Sequence, residues 1–171
     1  GGVASVALAV AKLLGAFVIV TSSSDEKLAI AGAMGADVTL NHNEVDVVQE
    51  VRKVTEKRGA DVILDNVGEA TWEKSLRALG KAGRLVTCGA TTGAMVVSDV
   101  RRVFWNQYTI MGSTMGNAAE YAEIIRLLGE GKLRARVDST FPLERGIAAV
   151  ERLREGKQMG KIVVEIGERE P

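Results

Sequence analysis

GGVASVALAVAKLLGAFVIVTSSSDEK, residues 1 to 27, holds the pattern from which the fold can be read. Val3, Val6, Ala7, Val10, Ala11 and Leu14 recur at the three- and four-residue spacing of one helix face, which predicts an amphipathic helix over 3–14. Gly15 follows the last of them, where glycine enters a left-handed C-cap at little cost. Phe17 to Val20 is too short and too β-branched for another helix and predicts a buried strand. Ser24 can then cap a second helix whose positive end is favoured by Asp25 and Glu26.

The same punctuation returns along the chain. Gly35-Ala36 precedes Asp37 to Leu40, Gly59-Ala60 precedes Asp61 to Leu64, and Gly83 precedes Arg84 to Cys88, with helices expected near 25–34, 44–56, 69–80 and 117–130. Short apolar strands alternating with amphipathic helices predict parallel β–α–β units, hence an α/β fold with a doubly wound parallel sheet of Rossmann type. After residue 90 the pattern becomes a loop over 91–99, a short helix over 100–106 and a strand from Tyr108 to Met111 ending at Gly112. A strand near Val137 to Phe141, a helix carrying Ile147, Val150 and Leu153, and a last strand over 161–166 complete the reading.

Composition bounds the partners. The chain has 171 residues, 46% of them hydrophobic, enough for one sizeable core. Twenty-two basic residues balance 22 acidic ones, so no net field draws it to nucleic acid or to an anionic membrane. One cysteine, Cys88, allows no internal disulfide, and with the one histidine, His42, it cannot close a structural zinc site. A reducing cytoplasmic location fits this usage, and no apolar run reaches the ~20 residues of a membrane span.

A helix that opens on Gly1-Gly2 presents backbone N–H groups at its positive end, and glycine lets an anion approach them. The dinucleotide fingerprint GxGxxG follows a strand; here Gly1 would stand at its second glycine and Ala4 at its third, with the strand and first glycine not in the chain. In the order 3-2-1-4-5-6 that strand is central, so its absence predicts two strands short of a partner and a chain that is a portion of a longer polypeptide. About 20 residues on, where NAD sites carry a carboxylate for the ribose, stand Thr21, Ser22, Ser23 and Ser24. Hydroxyls and Lys27 suit a 2′-phosphate, which favours NADP(H); Asp25 as a ribose ligand is the competing possibility.

The ordered set GGVASVALAVAKLLGAFVIVTSSSDEK, MGAD at 34–37, GADVILDNVG at 59–68, AGRLVTCGATTG at 82–93, IMGSTMG at 110–116 and GKIVVEI at 160–166 resembles the medium-chain dehydrogenase/reductase superfamily, near its quinone oxidoreductase and zinc-type alcohol dehydrogenase branches. The resemblance implies the C-terminal, nucleotide-binding portion of an oxidoreductase that passes hydride between a nicotinamide and a quinone, enone, aldehyde or alcohol. It implies a cofactor domain over 1–135 and a segment over 136–171 that returns to a GroES-like catalytic domain absent here, which would also supply any zinc ligands. Gly1, Gly2, Val3 and Ala4 would then lie on the pyrophosphate, and Ser22, Ser23 and Lys27 around the 2′-phosphate. His42 would lie at the adenosine end, in an Asn-His pair where NADP-dependent relatives often have tyrosine. Asn66, Val67 and Gly68 would border the ribose. Cys88, Gly89 and Ala90, with Met111 and Gly112, would hold the nicotinamide, partly through backbone groups. Members of the family often dimerise along the edge strand, here Tyr108 to Met111, so a homodimer acting on a small-molecule substrate is expected.

Other chemistry is weaker. Cys88 reads better as a small core residue than as a nucleophile, because no histidine is near to activate it. Asp65 reads as a turn residue bonded to the backbone after it, and Trp72 and Trp105 as packing residues, Trp105 near a subunit contact. Two alternatives stay open: an NADPH-binding module without turnover, and an S-adenosylmethionine-dependent methyltransferase, although the latter normally wants an acidic residue where the serines stand.

Overall fold

A computed structural model describes residues 1–167. In chain order the elements are α1 (Gly2–Leu13), β1 (Ile19–Ser22), α2 (Asp25–Ala33), β2 (Val38–Asn41), α3 (Val47–Val54), β3 (Ala60–Asp65), α4 (Glu69–Ala78), β4 (Leu79–Thr87), α5 (Val100–Trp105), β5 (Thr109–Gly112), α6 (Ala118–Gly129), β6 (Val137–Pro142), α7 (Gly146–Arg154) and β7 (Lys161–Glu165). A single 3-10 turn, Leu143–Arg145, leads into α7.

Every paired strand is parallel. β1 pairs with β2 from Ile19↔Val38 to Ser22↔Asn41, and β4 lies between β3 and β5. With the central strand taken out, the order 3-2-1-4-5-6 leaves a pair and a triplet, which are the sheets found. β1 and β3 each have one hydrogen-bonded neighbour among the described residues, as expected, and Val62 and Leu64 of β3 are exposed rather than buried. The Rossmann-type α/β architecture is present.

The chain divides into two compact units. One comprises 19–28 and 38–117 and carries both of these sheets. Leu76, Leu79, Leu85 and Tyr108 form one buried cluster there, with Ile63, Trp72 and Val103 against it, and the Tyr108 hydroxyl donates to the Leu79 carbonyl at 3.1 Å. A second cluster, Leu40, Val51 and Ala78, fills the space beside β2 and α3. The other unit comprises 1–18, 29–37 and 118–167 of the described chain, with β6 pairing β7. Leu8, Ala31, Leu133, Ala149 and Met159 are its buried apolar positions.

Several expectations are corrected. β1 begins at Ile19, and Phe17 is exposed, because the Val18 N–H is taken by the Asp37 carboxylate at 2.7 Å before ladder pairing starts. α3 starts at Val47, not 44, since the Asp46 side chain accepts from the N–H groups of Val48 and Gln49 and fixes the helix start there. α4 ends at Ala78, where Leu79 turns to an extended conformation and enters β4. Cys88 is exposed, not a core residue, because β4 ends at Thr87 and Cys88 lies just past it. Trp105 does not pack within the chain; it is 78% exposed on α5.

Candidate functional site

The carboxyl ends of β3, β4 and β5 carry a cavity of about 710 Å³, within the size range of small-molecule and cofactor sites. Gly68 and Trp72, Thr87 to Ala90, Gly93 to Ala94, Val96 and Gly112 to Thr114 line it. Of the expected residues it gathers Gly68, Cys88, Gly89, Ala90 and Gly112; Asn66, Val67 and Met111 adjoin it in sequence without lining it. A Cβ on Gly112 would meet nothing within 4 Å, so glycine there keeps room in the cavity.

Asp65 organises its floor. The carboxylate ends β3 and is buried; Oδ1 accepts the N–H groups of Val67 and Gly68 at 2.9 and 3.0 Å, and Oδ2 the hydroxyls of Thr71 and Ser75 at 2.8 Å each. Burial pushes its pKa up, but the bonds from Gly68, Val67, Thr71 and Ser75 outweigh that and leave it below the usual carboxylate range. The turn reading of Asp65 holds and extends to the first turns of α4.

A second set of bonds joins this turn to the loop after β4, and it was not read from the sequence. Thr92 donates its N–H and its hydroxyl to the Val67 carbonyl at 2.9 and 2.8 Å, the Ala70 N–H donates to the Thr92 hydroxyl, and Glu69 N–H donates to the Gly93 carbonyl. Gly68 and Gly93 form an isolated parallel bridge. The indole N–H of Trp72 donates to the Ser98 hydroxyl at 2.8 Å, tethering the far side of the same loop. The cavity rim is thus held by backbone and hydroxyl groups, which suits orientation of a planar polar ligand by main-chain donors and acceptors.

At the end of β1, Ser22 Oγ accepts from Ser24 N–H at 3.2 Å and Ser24 Oγ accepts from Lys27 N–H at 3.3 Å, so Ser24 caps α2 as expected. The His42 N–H donates to the Ser22 carbonyl at 3.0 Å, which brings Ser22 and His42 together. Asp25 is engaged by the Asn41 amide at 2.8 Å.

In the other unit Gly1 is the N-cap and α1 begins at Gly2, one residue before the expected start at Val3. A Cβ on Gly2 would stand 3.2 Å from Nζ of Lys161, the first residue of β7. An ammonium beside a helix N-terminus opposes the dipole and favours an anion between them. Sequence reasoning missed Lys161 as a site residue, because only tertiary folding brings β7 to α1.

Among the described residues no group of three or more His, Cys, Asp or Glu side chains could hold a metal ion, so these residues offer zinc no ligand set. No helix among them is long and apolar enough to cross a membrane.

Comparison with known proteins bears on this geometry. Residues 2–130 match the family model described as "Zinc-binding dehydrogenase". A NAD-dependent alcohol dehydrogenase of Sulfolobus acidocaldarius is 33% identical over 97% of this chain and 48% of the relative. A 2-haloacrylate reductase of a Burkholderia species is 32% identical over 96% of this chain and 52% of the relative. The crystal structure of an alcohol dehydrogenase from Aeropyrum pernix superposes with a TM-score of 0.86 at 32% identity, covering 95% of this chain and 46% of that one. The chain spans about half the length of these relatives. The methyltransferase alternative falls away, and the chain belongs to the zinc-binding dehydrogenases of the medium-chain dehydrogenase/reductase superfamily.

Proposed function

We propose that this chain is the cofactor-binding portion of a cytoplasmic nicotinamide-dependent oxidoreductase, with NADP(H) preferred, acting on a small quinone, enone, aldehyde or alcohol. The cavity at the carboxyl ends of β3, β4 and β5 carries the reading, since ligands of open parallel sheets bind at that end. When bound, the nicotinamide supplies or accepts the hydride. Asn66, Val67 and Gly68 border its ribose, while Cys88, Gly89, Ala90, Met111 and Gly112 orient the carboxamide and keep one side of the ring from water. Gly1, Gly2, Val3 and Ala4 offer backbone N–H groups to the pyrophosphate, and Lys161 adds a positive charge at that helix end. Ser22, Ser23 and Lys27 receive the 2′-phosphate, with His42 at the adenosine end.

Relatives named for an alcohol and for a haloacrylate are in keeping with a carbonyl, alcohol or activated-alkene substrate. Calorimetric titration of the full protein tests the cofactor. NADPH should bind at least about tenfold tighter than NADH, or ~1.4 kcal/mol, and Ser22→Asp should reverse the order. Equal affinities would defeat the preference, and binding of neither would defeat the function.

A further inference from the structure

Asp65 carries a charge that the turn it stabilises does not require. The two N–H groups on Oδ1 would be accepted equally by the amide oxygen of asparagine. The partners of Oδ2 are hydroxyls, which can rotate to accept from an amide NH2. All four donors are neutral, and the side chain is only 4% exposed. Its four hydrogen bonds keep the carboxylate charged against burial, and none of these donors neutralises that charge.

Gly68, which donates to Asp65 Oδ1, lines the cavity. Thr87, paired with Asp65 across β3 and β4, lines it too. So does Cys88, whose N–H donates to the Asp65 carbonyl at 3.2 Å. The carboxylate therefore stands directly behind residues that line the cavity.

We infer that Asp65 is the fixed negative charge that biases this cavity toward a cationic ring, and so toward the oxidised over the reduced nicotinamide. The oxidised ring is positively charged and the reduced ring is neutral, so a nearby anion discriminates between them even if the contacts are otherwise the same. By linkage the bound couple becomes a stronger reductant, which favours hydride delivery to the substrate. The inference rests on the cavity being the nicotinamide site.

The test is titration of the full protein with NADP⁺ and with NADPH, for wild type, Asp65→Asn and Ser75→Ala. Asp65→Asn keeps the hydrogen bonds and removes the charge. The ratio of the two affinities should shift by about fivefold or more toward NADPH, the effect one charge exerts at separations up to roughly 17 Å under an effective dielectric of about 20. Ser75→Ala removes a donor from Oδ2 and leaves the charge less compensated, so the ratio should move the other way. If Asp65→Asn does not fold, the Ser75→Ala shift decides alone. An unchanged ratio, even with both affinities lowered in parallel, would make Asp65 a purely structural residue and overturn the inference while leaving the proposed function standing. A wild type that binds neither form removes both.

Discussion

Gly68 shows what one residue does at the cavity rim. Its backbone lies at φ +88° and ψ −125°, and a Cβ would stand 2.5 Å from the Gly93 carbonyl oxygen and 3.0 Å from Ala90 Cα. Such a conformation costs other residues of order 1–3 kcal/mol before any clash is counted. Gly15 also has positive φ, +77°, but a Cβ there meets nothing, so only the left-handed cost of about 1 kcal/mol applies. Urea unfolding should therefore show Gly68→Ala losing at least about 2 kcal/mol more than Gly15→Ala. Equal losses would mean that the approach of the two loops is slack. Gly15 was legible in the sequence as the end of a periodic run. Gly68 was legible as the end of a strand, but its partner Gly93 was not, because no local pattern records which loops touch.

At the scale of elements, two side chains hold helices and strands in place. The Arg52 guanidinium on α3 donates to the carbonyls of Lys57 and Arg58, at 2.8 and 3.4 Å, and of Arg77 and Leu79, at 3.2 and 2.9 Å. It thereby closes the α3 to β3 turn, where Glu56 and Lys57 take positive φ without being glycine, and ties that turn to the end of α4. Arg52→Met removes four bonds, three of them exposed, and leaves the Leu79 carbonyl its bond from Tyr108, so it should cost about 1 kcal/mol, read as a lowered thermal midpoint, with Arg52→Lys recovering only part of it. Asp138 on β6 plays the matching role in the other unit. It accepts from Met159 N–H at 2.8 Å, from the Ser139 hydroxyl, and from the Arg152 guanidinium on α7. The Met159 bond, helped by Arg152 and Ser139 against the effect of burial, lowers its pKa. A carboxylate with a depressed folded pKa stabilises the fold above its unfolded value of about 3.9 and loses that contribution as pH falls through the folded value. Wild type should therefore exceed Asp138→Asn in urea midpoint at pH 7, and the two should converge below about pH 4. A gap that is constant with pH would assign the effect to shape instead of charge.

At the scale of the whole molecule, we propose a homodimer through the β5 edge. β5 has β4 as its one hydrogen-bonded neighbour among the described residues. Ile110 is 40% exposed on β5, and Val100, Phe104 and Trp105 are exposed on the preceding α5. An unpaired apolar edge is a template for another strand, and a two-fold axis makes such a contact self-complementary. Light scattering on the full protein should give a dimer for wild type and a folded monomer for Ile110→Lys. A monomeric wild type, or a folded Ile110→Lys dimer, would place the interface elsewhere.

The parallel α/β class and most of the alternation of helix and strand were determined by the sequence alone, although Gly83, expected to precede a strand, lies inside β4. These depend on local periodicity and on glycine's access to positive φ, both of which are written in consecutive residues. The tertiary structure alone decided that Thr92 and Gly93 close over Val67 and Gly68, that Cys88 lines a cavity with Gly112 to Thr114, and that Lys161 reaches Gly2. Each of these joins segments distant in the chain. Such contacts depend on loop closure and on the packing left available once the elements have formed, and neither has a signature in the residues of one segment.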